Sequence, residues 1–215
     1  MEFTGKLGPF QAFLFDMDGT ILTSIAAVDR AWRAWARRIG TDEEAVMAYM
    51  HGRRARDTIS HFMVGAPDAA IDAEADWLEA FELSDIGGIE PIPGIQAVLE
   101  AAKGRWALVT SATPGIARAR VKAAGLSLPE VVVTSADVTR GKPDPMGYLM
   151  AAKAMGVDPA ACLVFEDAHA GIAAGQAAGA TVMQILGTEA PQAEHGIRDY
   201  SGVSVTFDGG LWFQR

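Results

Sequence analysis

Short apolar runs recur at residues 12–15, 106–109, 131–133, 162–165, 181–186 and 203–207, and most are separated by stretches whose apolar residues fall at helical spacing. Runs of this length between turn residues read as buried strands. Strands alternating with helices imply right-handed crossovers, and so a parallel sheet covered on both faces. Two helix starts are marked chemically. Thr113-Pro114 supplies a capping hydroxyl and a first-turn proline ahead of a helix over 114–124 that stops at Gly125. Asp144-Pro145 opens the next in the same manner, through Tyr148, Leu149, Ala152 and Met155. Ligands of such sheets bind beyond the carboxyl ends of the strands, so reactive residues are expected there.

The alternation fails between the first two runs. From about Thr23 to Glu90 the periodicity is only helical: Ile25, Val28, Trp32, Trp35 and Ile39 form one apolar stripe, with Arg30, Arg33 and Arg37 on the opposite face. Further helical pieces are predicted near 43–50, 55–63 and 69–82, and Gly87-Gly88 with Pro91-Ile92-Pro93-Gly94 marks a return linker. The expected fold is α/β: a Rossmann-like, doubly wound parallel-sheet core over residues 1–22 and 91–215, and an inserted helical cap over residues 23–90. The two connections are natural hinges, able to close the cap over the strand ends and exclude water.

Composition narrows the partners. A chain of 215 residues, 50% hydrophobic, can bury a full core, and its net charge of −9 argues against nucleic acid while leaving room for a basic pocket that takes one phosphate. Cys162, inside Cys162-Leu163-Val164-Phe165, reads as a small buried residue, and one cysteine builds no disulfide framework. No basic segment followed by a long apolar stretch opens the sequence, so no signal peptide is read and a cytoplasmic protein is expected. From Ala168 to Gly187 there is no Asp, Glu, Lys or Arg, and Gly171, Gly175 and Gly179 repeat every four residues, as in a membrane helix-pairing face. Gln176 and Gln184 interrupt that stretch, and Gly179-Ala180 divides it into an Ala/Gly-rich helix and a strand, so no membrane partner is expected. Nothing in the sequence specifies an oligomeric state.

The strand ends carry the chemistry. After Phe13-Leu14-Phe15 come Asp16 and Asp18, two apart on extended chain and therefore leaving the strand on the same side. Two like charges so close call for a cation, a shared proton or both, although Asp-x-Asp alone reads equally as a polar turn. After the second run come Thr110 and Ser111, a hydroxyl and backbone amides ahead of a helix, suited to a phosphate oxygen or to a simple helix-capping turn. Next comes Thr139-Arg140-Gly141-Lys142-Pro143, in which Pro143 restrains Lys142 to extended geometry and presents its ammonium at a defined place. After the fourth run come Glu166 and Asp167, which with Asp16 and Asp18 complete an oxygen-only set pointing to Mg²⁺ rather than zinc.

Phe15-Asp16-Met17-Asp18-Gly19-Thr20, Val109-Thr110-Ser111, Gly141-Lys142-Pro143 and Phe165-Glu166-Asp167-Ala168-His169-Ala170-Gly171-Ile172 resemble, in order and spacing, the four motifs of the haloacid dehalogenase superfamily. The likeness covers essentially the whole chain, with the helical insertion resembling that superfamily's cap. Its segment His51-Gly52-Arg53-Arg54-Ala55-Arg56-Asp57-Thr58-Ile59 is similar to the caps of bacterial sugar and hexitol phosphatases and of glycerol-3-phosphate phosphatases. The resemblance implies that Asp16 attacks phosphorus to give an aspartyl phosphate, and that Asp18 protonates the leaving alkoxide and then deprotonates water. It implies that Thr110, the Ser111 amide and Lys142 bind the transferring phosphoryl group. Mg²⁺ would be held by Asp16, the Asp18 carbonyl, Asp167 and Glu166, directly or through water. Uncatalysed phosphate-monoester hydrolysis needs acceleration approaching ~10²¹-fold, so charge stabilisation by metal and lysine must dominate.

The substrate expected is a small phosphorylated sugar or polyol. Dehalogenases do not need the second acid that Asp18 supplies, and phosphonate-cleaving relatives use a cap lysine, whereas no lysine occurs between Lys6 and Lys103. A sugar phosphomutase, with a cap that binds a second phosphate, stays open because of Arg53, Arg54 and Arg56, which also suit a solvated helix face. So does a catalytically silent module that senses a phosphorylated metabolite. His51, Arg53 and Arg54 are expected to read substrate hydroxyls or its far end. Thr23 stands where relatives often have an acid.

Overall fold

The computed structural model describes residues 2–187 and 191–215. The chain enters through a short strand, β1 (Lys6–Phe10), and turns into β2 (Ala12–Phe15), which is wholly buried. Four helices follow: α1 (Ile25–Ile39), α2 (Glu43–Met50), α3 (Ala55–Phe62) and α4 (Asp68–Ser84). The return runs through α5 (Ile95–Ala101) into β3 (Trp106–Val109), α6 (Pro114–Ala123), β4 (Val131–Val133) and α7 (Met146–Met155). Then come β5 (Cys162–Glu166), α8 (His169–Ala177), β6 (Thr181–Ile185), β7 (His195–Ile197), β8 (Ser204–Phe207) and β9 (Leu211–Gln214).

Strands β2 to β7 form a parallel sheet in the order β4-β3-β2-β5-β6-β7, with β2 paired to both β3 and β5. Side chains alternate along β2, so its two faces feed two cores. Phe13 and Phe15 join Ile95 and Val98 of α5 and Ile116 and Val121 of α6, while Ala12 and Leu14 join Tyr148 and Ala152 of α7 and Ile172 of α8. Helices cover both faces, as a doubly wound sheet requires.

The run at 203–207 does not extend this sheet. It forms β8, antiparallel to β9, which pairs in turn with β1 in a separate three-stranded sheet. Ser204, Thr206 and Phe207 are exposed, the mark of an outer ribbon, whereas Leu211 and Phe213 of β9 enter the phenylalanine core. The sixth parallel strand is β7, only three residues long and with no apolar run to announce it.

The helical insertion has its own core of Val28, Trp32, Trp35, Val46, Met50, Ile59 and Leu78. Helix α1 stops at Gly40, whose positive φ of 72° lets its N–H reach the Ala36 and Arg37 carbonyls. On the opposite face Arg30 pairs with Asp85, Arg33 with Glu44 and Arg37 with Glu43, exposed contacts of small energetic weight. The outgoing and returning connections lie side by side: Leu22 bridges Pro91, the Thr23 N–H donates to the Glu90 carbonyl at 2.7 Å, and the Glu90 N–H donates to Thr23 Oγ1 at 3.0 Å. In α8, a Cβ on Gly175 would meet the Val164 and Val182 side chains at 3.0 Å, so this glycine serves close packing of helix on sheet. Among the described residues no helix is long and apolar enough to cross a membrane.

Candidate functional site

The parallel ladder continues one residue past β2, where the Asp16 N–H donates to the Phe165 carbonyl at 3.0 Å, fixing this carboxylate at the sheet edge. Asp16, Glu166 and Asp167 each present an oxygen there, all within 4.8 Å of one another. Lys142 is buried beside them: its ammonium lies 2.5 Å from Asp16 Oδ1 and 2.5 Å from Glu166 Oε1, and donates to the Val109 carbonyl at 3.2 Å. The Tyr148 hydroxyl donates to Glu166 Oε1 at 2.6 Å. Two glycines make the room. A Cβ on Gly19 would lie 2.1 Å from Asp167 Oδ2, and one on Gly171 would lie 1.8 Å from Glu166 Oε1.

Three close carboxyl groups with one ammonium leave surplus negative charge. Burial first, and the Glu166 charge second, hold Asp16 well above the ordinary carboxylate range against the pull of Lys142. The same two causes push Asp167 up to about 8. Burial alone would depress the Lys142 ammonium, but the Asp16 and Glu166 carboxylates outweigh it and keep it above its ordinary value. Oxygen donors without His or Cys, crowded and short of positive charge, suit a hard divalent cation. The cluster can therefore hold a metal.

Asp18 takes a different direction. Its Oδ1 accepts from Arg120 at 2.9 Å and from the Ser24 hydroxyl, and its carboxylate stands apart from the three-acid cluster. Arg120 reaches onward to Glu82 at 2.8 Å. Burial would depress this guanidinium, but Asp18 and Glu82 hold it above its ordinary value. Of the metal set expected from sequence, Asp18 is thus the one whose carboxylate lies elsewhere, which leaves only its backbone carbonyl to contribute.

Between the sheet edge and the insertion lies a cavity of about 290 Å³. Asp16, Asp18, Thr110, Ser111 and Asp167 line its floor, and Trp32, His51, Arg53, Asp76 and Glu79 its roof. Thr110 Oγ1 accepts from the Ala112 N–H at 3.1 Å, the local turn that its sequence allowed. The Ser111 hydroxyl donates to the Gly52 carbonyl at 2.9 Å, which ties floor to roof and leaves its amide as the group available to an anion. His51 is exposed at the end of α2.

The three arginines at positions 53, 54 and 56 part company. Arg54 donates twice to Asp57 and, across the interface, to the carbonyls of Val138 at 2.6 Å and Thr139 at 3.0 Å. These four bonds clamp the insertion to the loop before Lys142, and the residue also lines the cavity. Arg56 pairs with Asp72 and Asp68 at the surface. Arg53 lies over the Tyr49 ring at 4.3 Å with its guanidinium otherwise available to the cavity.

Ser24, Glu82, Arg120 and Tyr148 were not among the residues expected. The signal for two of them was present. Arg120 sits on the buried stripe of α6 with Ile116, Ala117 and Val121, and Glu82 on that of α4 with Ile71 and Leu78, opposite charges where apolar residues belong.

The sequence profile of the haloacid dehalogenase-like hydrolases matches residues 10–179. Hexitol phosphatase A of Escherichia coli is 47% identical over 178 residues, covering 81% of this chain and 82% of that protein. Glycerol-1-phosphate phosphohydrolase 2 of Saccharomyces cerevisiae is 37% identical over 191 residues, covering 82% and 75%. Among solved structures, the β-phosphoglucomutase of Clostridium difficile matches with a TM-score of 0.77 at 24% identity, covering 87% and 90%. With the profile running from the start of the sheet through α8 and across every strand end that faces the cavity, the chain belongs to the haloacid dehalogenase-like hydrolase family.

Proposed function

We propose that this hydrolase is a Mg²⁺-dependent phosphomonoesterase that cleaves small sugar or polyol phosphates through an aspartyl-phosphate intermediate. The divergence of two aspartates from one strand end carries the reading: Asp16 lies against Lys142 in the acid cluster, and Asp18 lies outside it on the cavity floor. On this reading the first is the nucleophile and the second moves protons. Asp16 attacks phosphorus as the bond to the alcohol oxygen breaks, and Asp18 supplies the proton that oxygen needs. Water then attacks the aspartyl phosphate, giving its proton to Asp18, and Asp16 leaves as a carboxylate with release of inorganic phosphate. Thr110, the Ser111 amide and Lys142 hold the phosphoryl oxygens. A bound Mg²⁺, held by Asp16, Asp167, the Asp18 carbonyl and Glu166 directly or through water, supplies positive charge that lets a carboxylate approach a phosphate dianion.

A small substrate suits the cavity, whose roughly 290 Å³ lies just below the range of drug-sized ligand pockets, about 300–1,000 Å³. Two relatives named for hexitol and glycerol-1-phosphate support polyol phosphates as the class. A phosphomutase needs cations for a second phosphate, yet of Arg53, Arg54 and Arg56, which all line the cavity, Arg54 and Arg56 are paired with acids, and Asp76 and Glu79 line the same roof. Hydrolysis is the better fit, and an intact set of reactive groups speaks against a silent sensor. The test is phosphate release across hexose, hexitol, triose and glycerol phosphates with several divalent metals. Activity that rises with Mg²⁺ and disappears in Asp16→Asn is expected; equal activity in that variant refutes the mechanism, and isomerisation faster than phosphate release makes the protein a mutase.

A further inference from the structure

Arg120 is 3% exposed and Glu82 9%, and an arginine so buried needs compensation in full. Glu82 alone, at 2.8 Å, supplies one partner from the helical insertion. The second partner is Asp18, at 2.9 Å from the other guanidinium nitrogen. Ser24 donates to the same oxygen, so both donors engage Asp18 Oδ1 and leave Oδ2 without a donor among the described residues. Two donors on Oδ1 anchor the carboxyl group at that atom and keep Oδ2 as its unengaged oxygen. Asp18 cannot swing away without leaving a buried guanidinium half paired.

We propose that Arg120 is a positioning residue for Asp18, and that Glu82 makes the insertion a participant, because the guanidinium is held from both sides only while α4 lies against α6. The inference rests on the acid/base role given to Asp18 above. It concerns the hydrolytic half of the reaction most directly. There the proton of the attacking water passes to Asp18 Oδ2 as the new oxygen–phosphorus bond forms and the bond from phosphorus to Asp16 breaks.

An aryl phosphate separates this role from a merely structural one. p-Nitrophenolate leaves without a proton, so its release in the first half-reaction does not call on Asp18, whereas hydrolysis of the aspartyl phosphate does. Rapid mixing of p-nitrophenyl phosphate and Mg²⁺ with wild type, Arg120→Met and Glu82→Gln reads the two steps separately. Arg120→Met is expected to release one equivalent of p-nitrophenolate at close to the wild-type rate and then to turn over at least about tenfold more slowly. Glu82→Gln, nearly isosteric and available should Arg120→Met not fold, is expected to show the same split with a smaller loss. Burst and turnover slowed alike, or turnover unchanged in both variants, overturns the proposal. Slow turnover in Arg120→Met with wild-type behaviour in Glu82→Gln overturns the part given to the insertion. A wild-type protein that releases no p-nitrophenolate, or releases it as well in Asp16→Asn, instead sinks the phosphatase reading itself.

Discussion

Arg53 and Arg54 are chain neighbours with separable consequences. Arg54 is a clamp, bonded to Asp57 and to two carbonyls of the facing loop, so Arg54→Ala should cost about 1–3 kcal/mol of stability and lower activity on all substrates alike. Arg53, stacked on Tyr49, faces the cavity, so Arg53→Ala should reorder the substrate panel with little change in melting temperature. Thermal melts and kcat/KM across the panel decide it, and an unchanged ranking in Arg53→Ala removes this residue from recognition. Asp16, Asp18, Lys142, Glu166 and Asp167 were legible because each follows an apolar run that ends at one sheet edge. Arg120 and Glu82 were missed although each falls on the apolar stripe of its helix, because one charge on a stripe does not say which residue of another element will pair with it.

Helix α8 shows how an element can set a side chain. Its Gly171 passes so close to Glu166 that a Cβ would lie 1.8 Å from Oε1, and Glu166 has no exposed direction in which to retreat. Gly171→Ala is therefore expected to displace the carboxylate, weaken activation by Mg²⁺ at least about tenfold, and cost on the order of 1–3 kcal/mol. Metal titration of activity and a thermal melt test this, and a variant indistinguishable from wild type contradicts it. Periodicity identified the four insertion helices, α6, α7 and most parallel strands, including the three-residue β4, which is marked by three successive valines. It missed β1, interrupted by Gly8-Pro9, the seven-residue α5, the three-residue β7 and β9. It recognised 203–207 as extended chain, but alternation says nothing of which strand will be its neighbour, and β9 rather than β6 won that pairing.

For the molecule as a whole, the crowded acids tie stability to pH and to metal. The folded, metal-free protein keeps a proton on Asp167 up to about pH 8, while the unfolded chain gives it up near ~3.9. That contribution is complete below the unfolded value and is lost as pH rises through the folded one. The melting temperature of metal-free protein is therefore expected to fall from about pH 4 to about pH 8 and level off beyond, and added Mg²⁺ to reverse the trend, since binding favours the ionised acids. Calorimetry in chelator and in Mg²⁺ tests it; a melting temperature that climbs with pH in chelator contradicts it. The side-by-side bridge of Leu22 and Pro91 has a different reach. All residues between them start and finish at one spot on the rim, so to the sheet they are a single long loop, and no parallel register depends on them. Loops of this kind are resized for about 0.6 kcal/mol per doubling of length. An insertion exchanged at residues 22 and 91 would therefore leave the sheet undisturbed, and the graft would have to bring its own acid for the Arg120 guanidinium.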